Sequence, residues 1–283
     1  MFGKAKKSLG QNFLNSDGAI TAMLDAAQVV AGDVVLEIGP GRGALTKKLL
    51  AAGATVVAVE KDDALIEPLQ TEFAAALSSG KLTLIHDDAL TVDIVSILTK
   101  GISRAFGNSS DITIATKPTY KLIANIPYYI TGALIERFLS IDTQPTSATL
   151  LVQKEVAERI VVRDGKESIL SIAVQAYGTP SYITTVKRGS FFPTPNVDSA
   201  IIHIADISKK RFEQAHTTED HFFVLMKAGF AHKRKHLGSN LSTFISEEQL
   251  LTCGLTKSVR AETVHIDTWF CLAGKSTAVA QEE

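Results

Sequence analysis

Val34-Val35-Leu36-Glu37-Ile38-Gly39-Pro40-Gly41-Arg42-Gly43 is an apolar run that ends in a glycine-rich turn. Its first five residues are apolar except Glu37 and rich in β-branched side chains, which suits a strand covered on both faces. Glycines at 39, 41 and 43 let the backbone approach a ligand closely. The helix that follows presents free N–H groups. Residues 44–52 carry apolar side chains at helical spacing. Strand, glycine turn and helix in that order predict the opening unit of a parallel α/β sheet. Gly39-x-Gly41-x-x-Ala44 also fits a loose dinucleotide fingerprint. Glu60 lies 21 residues beyond Gly39, where an acid can bind ribose hydroxyls. Alone, this supports an adenosine-containing cofactor without naming it. The plainer alternative is a tight turn before a glycine-tolerant helix start.

Outward from this unit the same alternation continues. Apolar runs at 55–60, 82–86, 121–124 and 149–153 read as further strands, and 182–186 with 199–204 as a closing pair. Residues 64–77 have helical spacing. The stretch 101–118, rich in Gly, Ser, Asn and Thr, reads as a surface loop or insertion without chemistry. Beyond Ile207 the pattern becomes helical. Thr217 to Asp220 form a helix start, and Phe222, Phe223, Leu225, Met226 and Phe230 follow as core positions. The remainder reads as short helices broken by Gly238, Gly254 and Gly274. The expected fold is α/β over residues 1–206, with a small all-helical domain over 207–283.

Composition bounds the function classes. The 283-residue chain is 45% apolar, so it is globular. No run approaches the ~18 apolar residues of a membrane span. The basic N-terminus precedes no apolar signal core, so a cytoplasmic protein is expected. Cys253 and Cys271 have no CxxC spacing and read as reduced structural thiols, with no metal site. Net charge is −1. Lysines and arginines nevertheless cluster at 4–7, 187–188, 209–211 and 233–235, against acids concentrated in the first half and in the Glu282-Glu283 tail. Each cluster alone is a solvated face; together they suit a phosphate-bearing partner.

Asn125-Ile126-Pro127-Tyr128-Tyr129 closes the 121–124 strand. The Asn125 side-chain oxygen and the carbonyls ahead of Pro127 can accept hydrogen bonds from an exocyclic amine, and the aromatic ring can stack on the base. Holding both N–H groups draws the amine lone pair of adenine out of conjugation. Asp88, or Asp87 beside it, sits where an acid can hold an adenine amine, or can cap a helix near Leu90. Phe191-Phe192-Pro193-Thr194-Pro195-Asn196-Val197-Asp198-Ser199 fixes an aromatic beside prolines. That suits stacking on an extruded base or, more plainly, a proline-bounded loop over the core.

Together these blocks resemble the ribosomal RNA adenine N6-dimethyltransferase family. Residues 9–14 (Leu-Gly-Gln-Asn-Phe-Leu), 37–43, 125–129, 153–159 and 191–199 occur in family order over nearly the whole chain. Residues 230–237 resemble the helical domain of the housekeeping branch, which dimethylates two adjacent adenosines near the 3′ end of small-subunit (16S) ribosomal RNA. Two departures bear on docking: the 101–118 segment is long for the family, and the basic patch reads Lys233-Arg234-Lys235 where two arginines usually lead.

The resemblance implies a Rossmann-like class I methyltransferase sheet with S-adenosylmethionine as cofactor. It implies that Gln11, Asn12, Leu14, Gly39, Gly41, Glu60, Asp88, Ala89 and Asn125 line the cofactor pocket. Asn125 and Pro127 belong to the amine-holding turn. Tyr128 and Phe191 are implied as stacking rings, with Phe192 the lesser candidate. The implied partner is small-subunit ribosomal RNA in a pre-ribosomal 30S-type particle, met by a monomer. Alternatives are a large-subunit enzyme of the macrolide-resistance type, an assembly factor with secondary catalysis, an NAD-dependent enzyme and a DNA adenine methyltransferase.

Overall fold

A computed structural model describes residues 5–6, 9–106 and 118–276. Strands are β1 (Phe13–Leu14), β2 (Val34–Ile38), β3 (Thr55–Glu60), β4 (Leu82–His86) and β5 (Lys121–Asn125). They continue as β6 (Ser147–Gln153), β7 (Thr179–Val186), β8 (Phe191–Phe192) and β9 (Ser199–Ala205). Seven form one sheet in the order β4-β3-β2-β5-β6-β9-β7. The pairs from β4 to β6 are parallel, and β9 runs antiparallel to β6. All seven strands expected from the apolar runs are present.

β3 is buried along its whole length, and β2 at all but its first residue. Helices cover such strands, which is why they read as continuous apolar runs. The chain leaves β2 toward β3 and returns on its other side at β5. The carboxyl ends of β2, β3 and β5 therefore frame a crevice at the switch point.

Two compact units divide the chain: Met1–Ala157 with Ser181–Ile207, and Glu158–Pro180 with Ser208–Glu283. The expected border near 206 coincides with one crossing. Residues 158–180, expected in the first domain, pack instead with the helical unit. There Tyr177 meets Phe212 and Phe223, ring centroids 5.1 and 5.9 Å apart. Phe222, Leu225 and Met226 of the helix Glu219–Phe230 are fully buried, as their spacing predicts. A Cβ on Gly229 would meet Trp269 at 2.4 Å, so glycine there permits close helix packing.

Three expectations fail. The stretch from Gly101 is not a loop: the helix Ile94–Phe106 runs through it, and Gly101 packs so tightly on β3 that a Cβ would meet Val57 at 2.4 Å. Residues 107–117 lie outside the described residues, as do Lys4, Lys7 and the acidic tail. Gly238 and Gly274 sit inside the helices Leu237–Asn240 and Ile266–Lys275, and only Gly254 (φ +76°) follows a helix end. Cys253 and Cys271 are not free thiols but a disulfide, with Cα atoms 5.8 Å apart. It ties the end of helix Glu247–Thr252 to helix Ile266–Lys275. Among the described residues, no helix is long and apolar enough to cross a membrane.

Candidate active site

The turn after β2 is built by its glycines. Gly39, Gly41 and Gly43 all take left-handed φ, +67°, +60° and +78°. At Gly43 a Cβ would also strike Phe73 at 2.4 Å, so only glycine fits. The Glu60 carboxylate closes the loop from β3. Its Oε2 accepts from Gly41 N (3.1 Å) and its Oε1 from Asp62 N (2.8 Å). Burial raises the Glu60 pKa against those two bonds.

A pocket opens along this loop. Gln11, Asn12, Leu14, Gly39, Gly41, Glu60, Asp88, Ala89 and Asn125 all line it. So do Pro127 and Tyr128. The nine residues expected around a cofactor therefore converge on one cavity. Sequence reasoning did not single out Phe13, Arg42, Lys61 and Tyr129, which line it too. Lys61 Nζ donates to Asp88 Oδ2 at 2.7 Å, and Leu90 N donates to Asp88 Oδ1 at 2.9 Å. The hydrogen bond from Lys61 holds the Asp88 carboxyl below its ordinary range. Asp88 thus secures the turn at Leu90, whereas the next helix begins at Ile94.

Glu37 stands on the pocket wall, 1% exposed. Thr46 Oγ1 donates to its Oε2 at 2.7 Å, while Oε1 is buried without a hydrogen-bond partner. Burial pushes its pKa up to about 8, although the Thr46 bond opposes the shift. Folded protein therefore binds a proton that unfolded chain releases near pH 4.5. Stability attributable to this group is fullest below that pH and falls as pH rises toward about 8. Glu37→Gln is expected to flatten this slope. Urea unfolding at pH 6 and pH 8.5 measures it, and an unchanged slope would contradict a protonated Glu37.

At the end of β5, Asn125 Nδ2 donates to the Asn12 carbonyl at 3.1 Å, which leaves Oδ1 as the side chain's acceptor. Ile126 N donates to the Leu151 carbonyl (3.2 Å), and Ile130 N to the Pro127 carbonyl (3.1 Å), so the turn is fixed at both sides. The Tyr128 hydroxyl pairs with Ser199 Oγ at 2.7 Å. Burial raises the Tyr128 pKa, so the ring is a neutral platform.

The two phenylalanines divide differently from expectation. β8 pairs antiparallel with β1, Phe13 opposite Phe192 and Leu14 opposite Phe191. Consecutive strand residues face opposite ways. Phe191 points into the core at 3% exposure, and Phe192 stands out at 57%. The accessible ring is Phe192, which lies 5.8 Å from the Arg42 guanidinium; that guanidinium also stacks over Phe13 at 4.5 Å.

These residues fit an adenosine-containing cofactor. A carboxylate ends β3, a second follows β4, Gly39 and Gly41 line the cavity with them, and so does Glu37, whose buried Oε1 has no partner. Comparison with known proteins identifies it. Residues 2–275 match the family model described as ribosomal RNA adenine dimethylase. A ribosomal RNA small subunit methyltransferase A of Dehalococcoides mccartyi is 38% identical, covering 94% of this chain and 86% of its own. Its counterpart in Fusobacterium nucleatum is 36% identical, covering 93% and 94%. Among solved structures, a dimethyladenosine transferase from Plasmodium falciparum superposes with TM-score 0.72 at 24% identity, covering 92% of this chain and 95% of that one. The 23S rRNA methyltransferase ErmE superposes with TM-score 0.70 at 21% identity, covering 93% and 98%. Both share the fold. The chain belongs to the ribosomal RNA adenine dimethylase family, enzymes that transfer methyl groups from S-adenosylmethionine to adenine N6 of ribosomal RNA.

Proposed function

We propose that this dimethyltransferase modifies two adjacent adenosines near the 3′ end of small-subunit ribosomal RNA, as a monomer acting in the cytoplasm on a pre-ribosomal particle. The observation that carries the chemistry is the Asn125 amide, fixed at the end of β5 on the wall of the pocket, its acceptor oxygen free of the Asn12 bond. The small-subunit assignment rests on relatives with that name at 36–38% identity across nearly the whole chain.

Bound S-adenosylmethionine supplies an activated methyl on a sulfonium. Gly39 and Gly41 offer it backbone, Glu60 takes ribose hydroxyls, and Asp88 holds the adenine amine. Gln11, Asn12, Leu14 and Ala89 close the walls. A target adenosine flipped from the RNA stacks on Tyr128, whose hydroxyl is tethered to Ser199. Phe192, the accessible member of its pair, provides the second ring. Asn125 Oδ1 and the Ile126 carbonyl accept both N6 hydrogens and aim the nitrogen lone pair. Pro127 stiffens the turn that carries them. The nitrogen becomes acidic once methylated and releases its proton to solvent. No strong general base is required; placement and exclusion of water do the work.

Docking is assigned to Lys233, Arg234 and Lys235. All three are exposed, with no ion pair among the described residues, after the helix Glu219–Phe230. In the other clusters at least one described residue is engaged by an acid: Lys6, Lys187, Lys209 and Arg211. Replacing 233–235 with glutamines is expected to weaken binding to small subunits roughly tenfold and to lower the salt slope by up to about three. Filter binding from 50 to 250 mM salt tests this, and an unchanged slope would remove the patch from the interface. Substrate choice is tested by labelled-methyl transfer to small and large subunits that lack the modification. Label in the small subunit is expected; label in the large subunit alone would move the enzyme to the resistance type.

A further inference from the structure

Asp62 occupies a position that the methyl-transfer chemistry does not explain. It is 2% exposed, just after β3, and its carboxylate accepts three hydrogen bonds, from Lys6, Gln11 and Ala64. Oδ2 accepts from Gln11 Nε2 at 2.6 Å. Oδ1 accepts from Lys6 Nζ at 2.6 Å and from Ala64 N at 3.0 Å, the latter starting the helix Asp63–Glu72. Lys6 Nζ reaches Asp63 as well, and Lys6 N donates to Gln11 Oε1 at 2.7 Å. Asp62's own N–H donates to Glu60 Oε1.

Lys6 and Gln11 belong to the N-terminal segment, whose residues Leu9 to Leu14 form one wall of the pocket. The segment's described residues before Phe13 are only half-buried, with Ala5 alone packed against the hydrophobic core. It is held by polar ties: Asp62 at one end, Asn125 at Asn12, and the β1–β8 pair beyond. Charge-assisted bonds to a buried carboxylate are the strongest of these.

We propose that Asp62 is a positioning residue, the latch that fastens the N-terminal segment as a strap over the cofactor pocket, so that strap closure and cofactor binding are thermodynamically coupled. This rests on the S-adenosylmethionine reading of the pocket. The coupling runs through two short links. Asp62 fixes Gln11 in the strap, and its N–H fixes Glu60 in the ribose position. Linkage is reciprocal, so bound cofactor protects the strap from opening as much as the latch tightens the cofactor.

Asp62→Ser separates the latch from the helix start, because serine still caps Ala64 N but is too short to hold both Gln11 and Lys6. The measurements are calorimetric binding of S-adenosylmethionine, steady-state methylation of small subunits, and hydrogen exchange of the 9–14 amides without and with cofactor. The expected result is a cofactor Kd and KM raised roughly tenfold, kcat at saturating cofactor within about twofold of wild type, and faster 9–14 exchange in the apo protein. Lys6→Met is expected to give a smaller shift of the same kind. The double variant should be no weaker than Asp62→Ser alone, because both cut one tie. Unchanged exchange and Kd in Asp62→Ser would overturn the latch, as would a loss of kcat with Kd intact. Wild-type protein that fails to bind S-adenosylmethionine would refute the cofactor reading instead, while the apo exchange comparison would still decide the latch.

Discussion

Asn125→Ala is expected to reduce methyl transfer on the order of 10³-fold while leaving the affinity for small subunits nearly unchanged. The size follows from what the side chain does. It is one of two acceptors proposed to hold the N6 amine, and removing one preorganised hydrogen-bonding group at a reacting atom costs catalysis by about that factor. Binding survives because the RNA-docking residues proposed here lie elsewhere in the chain. A secondary effect is specific to this protein. Asn125 Nδ2 donates to the Asn12 carbonyl, so its loss also frees part of the N-terminal segment and should weaken cofactor binding a few-fold. Single-turnover transfer at saturating cofactor, beside filter binding, separates the two. A parallel fall in subunit affinity and transfer would show that Asn125 acts in docking or folding, not at the amine.

Phe191→Ala and Phe192→Ala are expected to part company. Phe191 lies in the core with Phe13, Leu14 and Ile201, and its truncation should destabilise the protein by about 3–5 kcal/mol. Phe192 is exposed, so Phe192→Ala should leave stability within about 0.5 kcal/mol and lower kcat/KM for RNA by tenfold or more, the range of one lost base–aromatic stack. Denaturant melts paired with methylation rates measure both. A stable Phe191→Ala with a large rate loss, beside an active Phe192→Ala, would return the stacking role to Phe191.

That pair marks where sequence reading reaches its limit. Which of two consecutive phenylalanines faces inward depends on register with β1, and a two-residue strand carries no period from which to read it. The central strands β2, β3, β5 and β6 were legible because they are largely apolar runs, the mark of a sheet covered on both faces. The pocket was legible because its residues lie in short blocks at strand ends, where chemistry and spacing coincide. Gly101 misled because glycine composition suggests a loop, whereas here glycine serves close packing on Val57. The 158–180 segment and the Cys253–Cys271 disulfide depend on contacts made only once the helical unit assembles. Asp62 was passed over inside an acidic run, although it alone of that run gathers Lys6 and Gln11 at a buried position.

The most direct test of the central claim is nucleoside mass analysis of small-subunit ribosomal RNA, from particles lacking the modification, after incubation with the enzyme and S-adenosylmethionine. N6,N6-dimethyladenosine is expected at two adjacent positions near the 3′ end, and none with Asn125→Ala. Methyl groups on another base, or at an adenine position other than N6, would contradict the amine-holding role of the Asn125 turn.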